Sequence, residues 1–489
     1  MIRIFTLLLT LVWGLTCHAA TKKKYPGGKQ YMYRLTLADK HDSPYSLDHP
    51  TRWLSNKSVE RRQRQGLALD STDLPVTPRY VKAIGAVKGV SIVAQSRWNN
   101  TVVARTADTL ALHQLCQLPF VSKAELVWVS PDSIEKELPR WNVHDRYNPW
   151  DSVKNERYGY GKDQIEDLNG DSLHAVSLRG KGMTIAIFDG GFQNVNRIPA
   201  FRHTHIAGTH NFVWHNPQIP QRDESNDDIF NGADHGTRVL SAMAANSPKV
   251  LVGTAPEARY WLLRCEDQTT EQPVEEDYWA MAAEFADSAG VDVINSSLGY
   301  NDYDEPHRQL QLNDLDGQST LISRTASMLA GKGIILVNSA GNTGMGPWKK
   351  ICVPADAREI LTVGALNIHG TNAPFSSVGP SQDGRVKPDV MAIGSPSVLI
   401  SGRGSVIRDM GTSFSTPVVC GLVACLWQAF PNKRAIDIIN LVRKASDNYL
   451  TPNNIYGYGK PDFWRAYMIG KLEASPSPSE GGDVRYIKQ

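Results

Sequence analysis

The sequence lacks an excess of either charge. Fifty-two Lys and Arg stand against 50 Asp and Glu over 489 residues, a net charge of +2. That is too little for a nucleic-acid footprint, and no basic stripe interleaved with aromatics appears. Cysteine is scarce, six in all, and no spacing resembles a zinc site. Cys17 and Cys116 fall in an expected leader and pro-region, which leaves Cys265, Cys352, Cys420 and Cys425. Their pairing cannot be read from spacing. Cys420 and Cys425 lie five apart on one apolar segment, which suits packed free thiols better than a bridge. Beyond the N-terminus no stretch reads as long and apolar enough to span a membrane, so no integral membrane segment is expected after the leader. No internal repeat appears.

What is present starts with that leader. Met1-Ile2-Arg3 carries a positive charge, residues 4–15 are apolar, and Cys17-His18-Ala19-Ala20 ends in small residues. This is the layout of a signal peptide over residues 1–20, cut after Ala19 or Ala20. Leu15-Thr16 before Cys17 is a poor match to a lipidation signal. The mature chain is expected to be exported: periplasmic, cell-surface or extracellular.

Residues 21–135 read as a small α+β unit. Alternating or apolar runs at 31–37, 89–94, 100–105 and 122–129 predict strands, and 80–87 and 107–115 predict helices. The order β-α-β-β-α-β is a ferredoxin-like split. An insertion at 51–66 carries Val59-Glu60-Arg61-Arg62-Gln63-Arg64, a charged helix expected to be a solvated face. Residues 136–163 lose periodicity and read as a linker holding a processing site. From 164 to 470 strands and helices alternate, which implies a parallel sheet and an α/β domain. Residues 471–489 are rich in Ser, Pro and Gly and read as a disordered tail.

Three polar motifs fall at the ends of these elements. Asp189-Gly190-Gly191 follows an apolar strand, so its carboxylate emerges at a C-terminal strand edge, where sites in open α/β sheets gather. His235-Gly236-Thr237 opens a helix. Gly411-Thr412-Ser413-Phe414-Ser415-Thr416-Pro417 leads into a helix apolar nearly all round, placing the Ser413 hydroxyl at its N-terminus. Chemically these are an orienting acid, a base and a nucleophile. A serine hydroxyl needs a base to take its proton, and the imidazole needs a carboxylate to fix its tautomer. Alone, each motif reads as a turn or a helix cap.

In the order Asp, His, Ser, the three segments resemble the subtilisin-like serine proteases (subtilases) over residues 164–470. The resemblance implies a subtilisin-like three-layer parallel-sheet catalytic domain behind a ferredoxin-like pro-domain that chaperones and inhibits it. It implies catalytic roles for Asp189, His235 and Ser413. Asn338-Ser339-Ala340-Gly341-Asn342 resembles the oxyanion-hole segment, which gives Asn342 that role. Ser297, Leu298 and Gly299 resemble the substrate-binding edge, and Ser339, Ala340 and Gly341 the facing wall of the S1 pocket. Gly253-Thr254-Ala255-Pro256 and Val386-Lys387-Pro388-Asp389-Val390 look like structural landmarks. Two features depart from the family. Gly190 stands where Ser or Thr is usual, and the acidic ligand of the family's strong calcium site is missing near Asn194, Asn196 and Ile198. The acidic run Asp223-Glu224-Ser225-Asn226-Asp227-Asp228 is compatible with calcium, but a solvated loop accounts for it. No cofactor is required.

The expected activity is a self-processing serine endopeptidase made as a zymogen, with polypeptide substrates and its own pro-domain as inhibitor. An α/β-hydrolase esterase is disfavoured because Ser415 breaks the Gly-x-Ser-x-Gly elbow and both acid and base precede the serine. A sedolisin-like peptidase is disfavoured by His235-Gly236-Thr237. The non-enzyme alternative is a catalytically silent peptide-binding domain.

Overall fold

A computed structural model of the chain describes residues 23–25, 27–134, 157–213 and 228–474. The leader and Asp223–Asp227 lie outside them.

The N-terminal unit is an antiparallel sheet of β1 (Tyr31–Leu37), β2 (Val90–Ser96), β3 (Thr101–Thr106) and β4 (Val121–Val129). Its strand order, β2-β3-β1-β4, is that of the expected ferredoxin-like split. Helices α1 (Asn56–Gln65), α2 (Pro78–Gly85) and α3 (Thr109–Cys116) complete it. Leu35, Leu37, Ile84, Val102, Ala104 and Leu115 form its core. Helix α1 starts at Ser55, whose hydroxyl accepts from the Ser58 N–H, and stops at Gly66 in the left-handed region at φ 66°.

The second unit begins earlier than the linker reading allows. Tyr158 is 1% exposed, Tyr160 N–H donates to Val250 O at 2.9 Å, and α4 (Lys162–Glu166) is already helical. Residues 157–163 therefore belong to the catalytic unit, anchored by an aromatic residue that composition alone had marked as linker-like. Helix α5 (Gly170–Ala175) follows.

Seven strands then build one parallel sheet: β5 (Thr184–Asp189), β6 (His205–Asn211), β7 (Arg259–Arg264), β8 (Val293–Ser296), β9 (Ile335–Ser339), β10 (Leu361–Asn367) and β11 (Val390–Ser395). Their order is β11-β10-β9-β8-β5-β7-β6. Helix α6 (His235–Ala244) falls between β6 and β7, α7 (Val274–Ala289) between β7 and β8, and α8 (Leu321–Met328) between β8 and β9. A hairpin, β12 (Ser397–Ile400) with β13 (Val406–Asp409), precedes α9 (Thr412–Ala429), α10 (Ala435–Lys444) and α11 (Phe463–Ala474).

Period-2 alternation along β5 sorts its side chains between two cores. Ile185 and Ile187 join α6 and α9, while Ala186 and Phe188 join α7 and α8. A strand buried on both faces needs apolar residues throughout, and β5 is fully buried. The result is helix, sheet, helix: the three-layer catalytic domain expected.

Two sequence readings fail at the C-terminal end. Helix α11 runs to Ala474 and Glu473 pairs with Lys433 and Lys444, so the tail does not start at 471. Helix α9 is also long and apolar enough to cross a membrane by composition. It is apolar because it is the core helix: every residue from Thr412 to Trp427 is buried. The cysteines outside the leader, Cys116, Cys265, Cys352, Cys420 and Cys425, are all free thiols, and all but Cys116 are buried.

Candidate active site

The parallel sheet delivers three loops to one edge. Asp189 is the last residue of β5 and is wholly buried. Its neighbour β8 ends at Ser296 and passes directly into Ser297-Leu298-Gly299, and β9 ends at Ser339, ahead of Ala340-Gly341-Asn342. Helix α6 opens with His235, and α9 brings Ser413 in its first turn.

His235 Nδ1 lies 2.8 Å from Asp189 Oδ2 and 3.0 Å from Oδ1. This contact places the proton on Nδ1 and leaves Nε2 as the basic nitrogen. Burial alone would lower the pKa of His235, but the Asp189 charge and hydrogen bond, with Glu266, more than offset it, so the pKa is raised. Gly190 N–H donates to Asp189 Oδ1 at 2.8 Å. A Cβ at Gly190 would sit 2.6 Å from Gln268 Nε2, so any larger residue there would displace the Gln268 side chain. The ring of Phe414 lies 5.6 Å from that of His235, and the Arg238 guanidinium sits 5.6 Å over the Phe414 ring.

Ser413 Oγ donates to Ser297 O at 3.2 Å, and Ser297 Oγ donates to Ser413 O at 2.9 Å. The pair ties the end of β8 to the start of α9. In this arrangement the Ser413 hydroxyl is engaged by Ser297 O. At this position in α9 the Ser413 N–H has no intrahelical acceptor.

Asn342 Oδ1 accepts from Thr412 N–H at 2.9 Å and from Thr412 Oγ1 at 3.0 Å. Two donors fix that atom as the oxygen, and Nδ2 is left as the donor end. The same Thr412 hydroxyl is 3.2 Å from Gly341 N. Gly341 has φ 107°, and a Cβ there would meet Cys352 Sγ at 2.5 Å, so only glycine fits. Ala340 has both backbone groups taken, by Val363 O and Cys352 N–H, and Leu298 O is 3.4 Å from Ser339 Oγ. Of the predicted substrate-binding residues, Gly299 alone is exposed, while Ser297, Leu298, Ser339 and Ala340 are buried.

Asp189, the segment 297–299 and the segment 339–342 thus lie at the C-terminal ends of neighbouring strands, with His235 and Ser413 at the starts of α6 and α9. The structure adds some residues that sequence reading did not assign. Thr412 orients Asn342, and its neighbours' motif could have flagged it. Glu266, two residues past β7, is close enough to feel both Asp189 and His235. Burial first, and then the Asp189 charge, push its pKa up to about 7 against the pull of His235. No local motif marks it.

A family model described as "Subtilase family" matches residues 180–459, taking in Asp189, His235, Asn342 and Ser413. The chain belongs to the subtilase family. A second model, "Peptidase S8 propeptide domain, Bacteroidota", matches residues 32–140. Among curated subtilases, the rat membrane-bound transcription factor site-1 protease is 28% identical over 331 residues, 64% of this chain. Subtilisin-like protease SBT6.1 of Arabidopsis thaliana is 31% identical over 332 residues, 63% of this chain. The match spans 28% of the length of each of these two relatives. Subtilisin NAT of Bacillus subtilis subsp. natto is 26% identical over 381 residues, 77% of this chain and 83% of its own.

Asn194 donates its amide to Gly402 O at 2.7 Å, and Ile198 is buried in the core. Among the described residues no group of three or more His, Cys, Asp or Glu could hold a metal ion. The landmarks are structural. Lys387 Nζ reaches Asp389 Oδ2 at 2.8 Å and Arg443 reaches Asp389 Oδ1 at 2.6 Å, both on a buried carboxylate, and Thr254 packs against Gly421 of α9.

Proposed function

We propose that this subtilase is an exported serine endopeptidase made as a zymogen. Residues 1–20 are its signal peptide and 21–135 its inhibitory pro-domain. His235 takes the proton of Ser413 as the hydroxyl attacks the peptide carbonyl, and later delivers it to the leaving amine. Asp189 holds the imidazole in its Nδ1–H form and offsets its positive charge. Asn342 Nδ2 and the Ser413 N–H donate to the oxyanion. An extended polypeptide lies along Ser297-Leu298-Gly299, with its P1 side chain between that edge and Ser339-Ala340-Gly341. No cofactor takes part.

The observation that carries this reading is the pair of constraints around one hydroxyl. Asp189 fixes one tautomer of His235, and Thr412 fixes one orientation of Asn342, and both act where α9 presents Ser413. A peptide-binding domain without chemistry needs neither.

Labelling processed protein with a fluorophosphonate probe and mapping the adduct tests it. The expected adduct is on Ser413, and His235→Ala is expected to abolish it. Processed protein that folds and takes no label, or is labelled at another serine, would overturn the assignment.

A further inference from the structure

The arginine run on α1, expected to face solvent, is buried. Arg61 and Arg62 are each 2% exposed. Their shared partner, Asp287, lies more than 200 residues away, on the catalytic domain. Arg61 Nη2 meets Asp287 Oδ1 at 2.5 Å, Arg62 Nη1 meets the same oxygen at 2.7 Å, and Arg97 Nη2 meets Oδ2 at 2.8 Å. Three guanidiniums from the pro-domain thus converge on one carboxylate of α7 that is wholly buried. Burial opposes ionisation of Asp287, but the charges of Arg61, Arg62 and Arg97 more than offset it, and its pKa is lowered. Around this centre Asp73 of the pro-domain takes Arg62 and, from the catalytic domain, Lys332.

Backbone contacts fix where α1 docks. Arg61 Nη1 donates to Val291 O at 2.8 Å, and Gln65 Nε2 donates to Gly333 O at 2.9 Å. Gln65 Oε1 accepts the Ala435 N–H at 2.9 Å, an otherwise orphaned donor at the start of α10. Val291 and Gly333 each stand two residues before β8 and β9 begin. The candidate active site is at the opposite ends of those same strands, on the order of 15 Å away along them. The sheet of the pro-domain binds separately along α7, where Arg34 meets Asp277 at 2.6 Å and Glu284 takes Ser96 Oγ at 2.6 Å.

We infer that α1 is a latch that holds the pro-domain on the catalytic domain from the sheet end remote from the active site, with Asp287 as its keystone. The inference rests on reading residues 21–135 as the pro-domain. Cutting the linker then does not free the enzyme, because release must separate the buried Asp287 carboxylate from the three guanidiniums that converge on it. Leaving either side unpaired in the interface is strongly unfavourable, whereas removing both sides together is far less so.

The test uses the whole chain with Ser413→Ala and a site for a sequence-specific protease inserted near residue 140. Cleavage is then independent of the chain's own activity, so failure of the protease reading and failure of the latch are distinguishable. After cleavage, loss of the pro-domain from immobilised catalytic domain is timed. The parent is expected to retain it. R61Q/R62Q, which leaves the catalytic domain unaltered, is expected to lose it about a hundredfold faster. Asp287→Asn, which leaves the pro-domain unaltered, should do the same, and the combined variant should lie between them and the parent. K29Q, at the exposed Lys29–Asp132 pair, should match the parent. Immediate release from the parent, or equal rates for R61Q/R62Q, Asp287→Asn and the parent, would overturn the latch.

Discussion

At the scale of the residue, the site turns on charge around one imidazole. In the proposed mechanism His235 must be neutral to accept the Ser413 proton, and its pKa is raised by Asp189 with a contribution from Glu266. Activity should therefore rise as pH rises through that pKa and fall as the imidazole is protonated below it. Glu266 carries negative charge when ionised and favours imidazolium. Replacing it by Gln removes that charge, so Glu266→Gln should move the acid limb of the kcat/KM profile to lower pH, with the plateau little changed. An acid limb that stays in place or moves upward would show that Glu266 does not act on His235. Glu266 is also a measure of what a linear reading misses. Asp189, His235, Asn342 and Ser413 each sit in a short glycine-rich signature, because a side chain that must emerge at a strand end or helix start needs tight turns around it. Glu266 needs no special backbone, so nothing around it in sequence announces it.

At the scale of the element, α9 ties site and core together. It is buried along nearly its whole length, and at Gly421 the Thr254 hydroxyl occupies the space a Cβ would take. Gly421→Ala should force the Gly253-Thr254-Ala255-Pro256 loop away from the helix. A loss of about 1–3 kcal/mol in unfolding free energy is expected, read by denaturant titration of the Ser413→Ala chain. Stability equal to the parent would mean that the loop yields without strain. The pattern that made α9 legible, apolar residues on every side, also made it a membrane-length segment on composition, and only its surroundings decide between the two. Helix α1 shows the converse. Its arginines read as solvated because sequence windows see neighbours in the chain, whereas Asp287 comes from an element more than 200 residues on. Edge strand β6 carries no strand signature in its sequence: His205, Gly208, His210 and Asn211 break any apolar run, which an edge with one neighbour tolerates. The central strands, such as β5, are apolar nearly throughout because burial on both faces leaves little choice of side chain.

At the scale of the molecule, two units of different character are held together. The pro-domain has a small core and a charged interface, and the catalytic domain has two large cores around one parallel sheet. Its strand C-termini hold the candidate chemistry, and its strand N-termini receive the latch. A domain that both clasps the enzyme and is joined to it by residues 135–156 suits a chain that must stay silent until cut. The central claim is that Ser413 makes that cut. Intact mass and N-terminal sequencing of the purified wild-type chain beside its Ser413→Ala variant test it most directly. The account predicts that the wild type loses its pro-region within residues 135–156 while the variant keeps its full mass. Maturation of the variant as efficient as that of the wild type, with no other protease present, would contradict it.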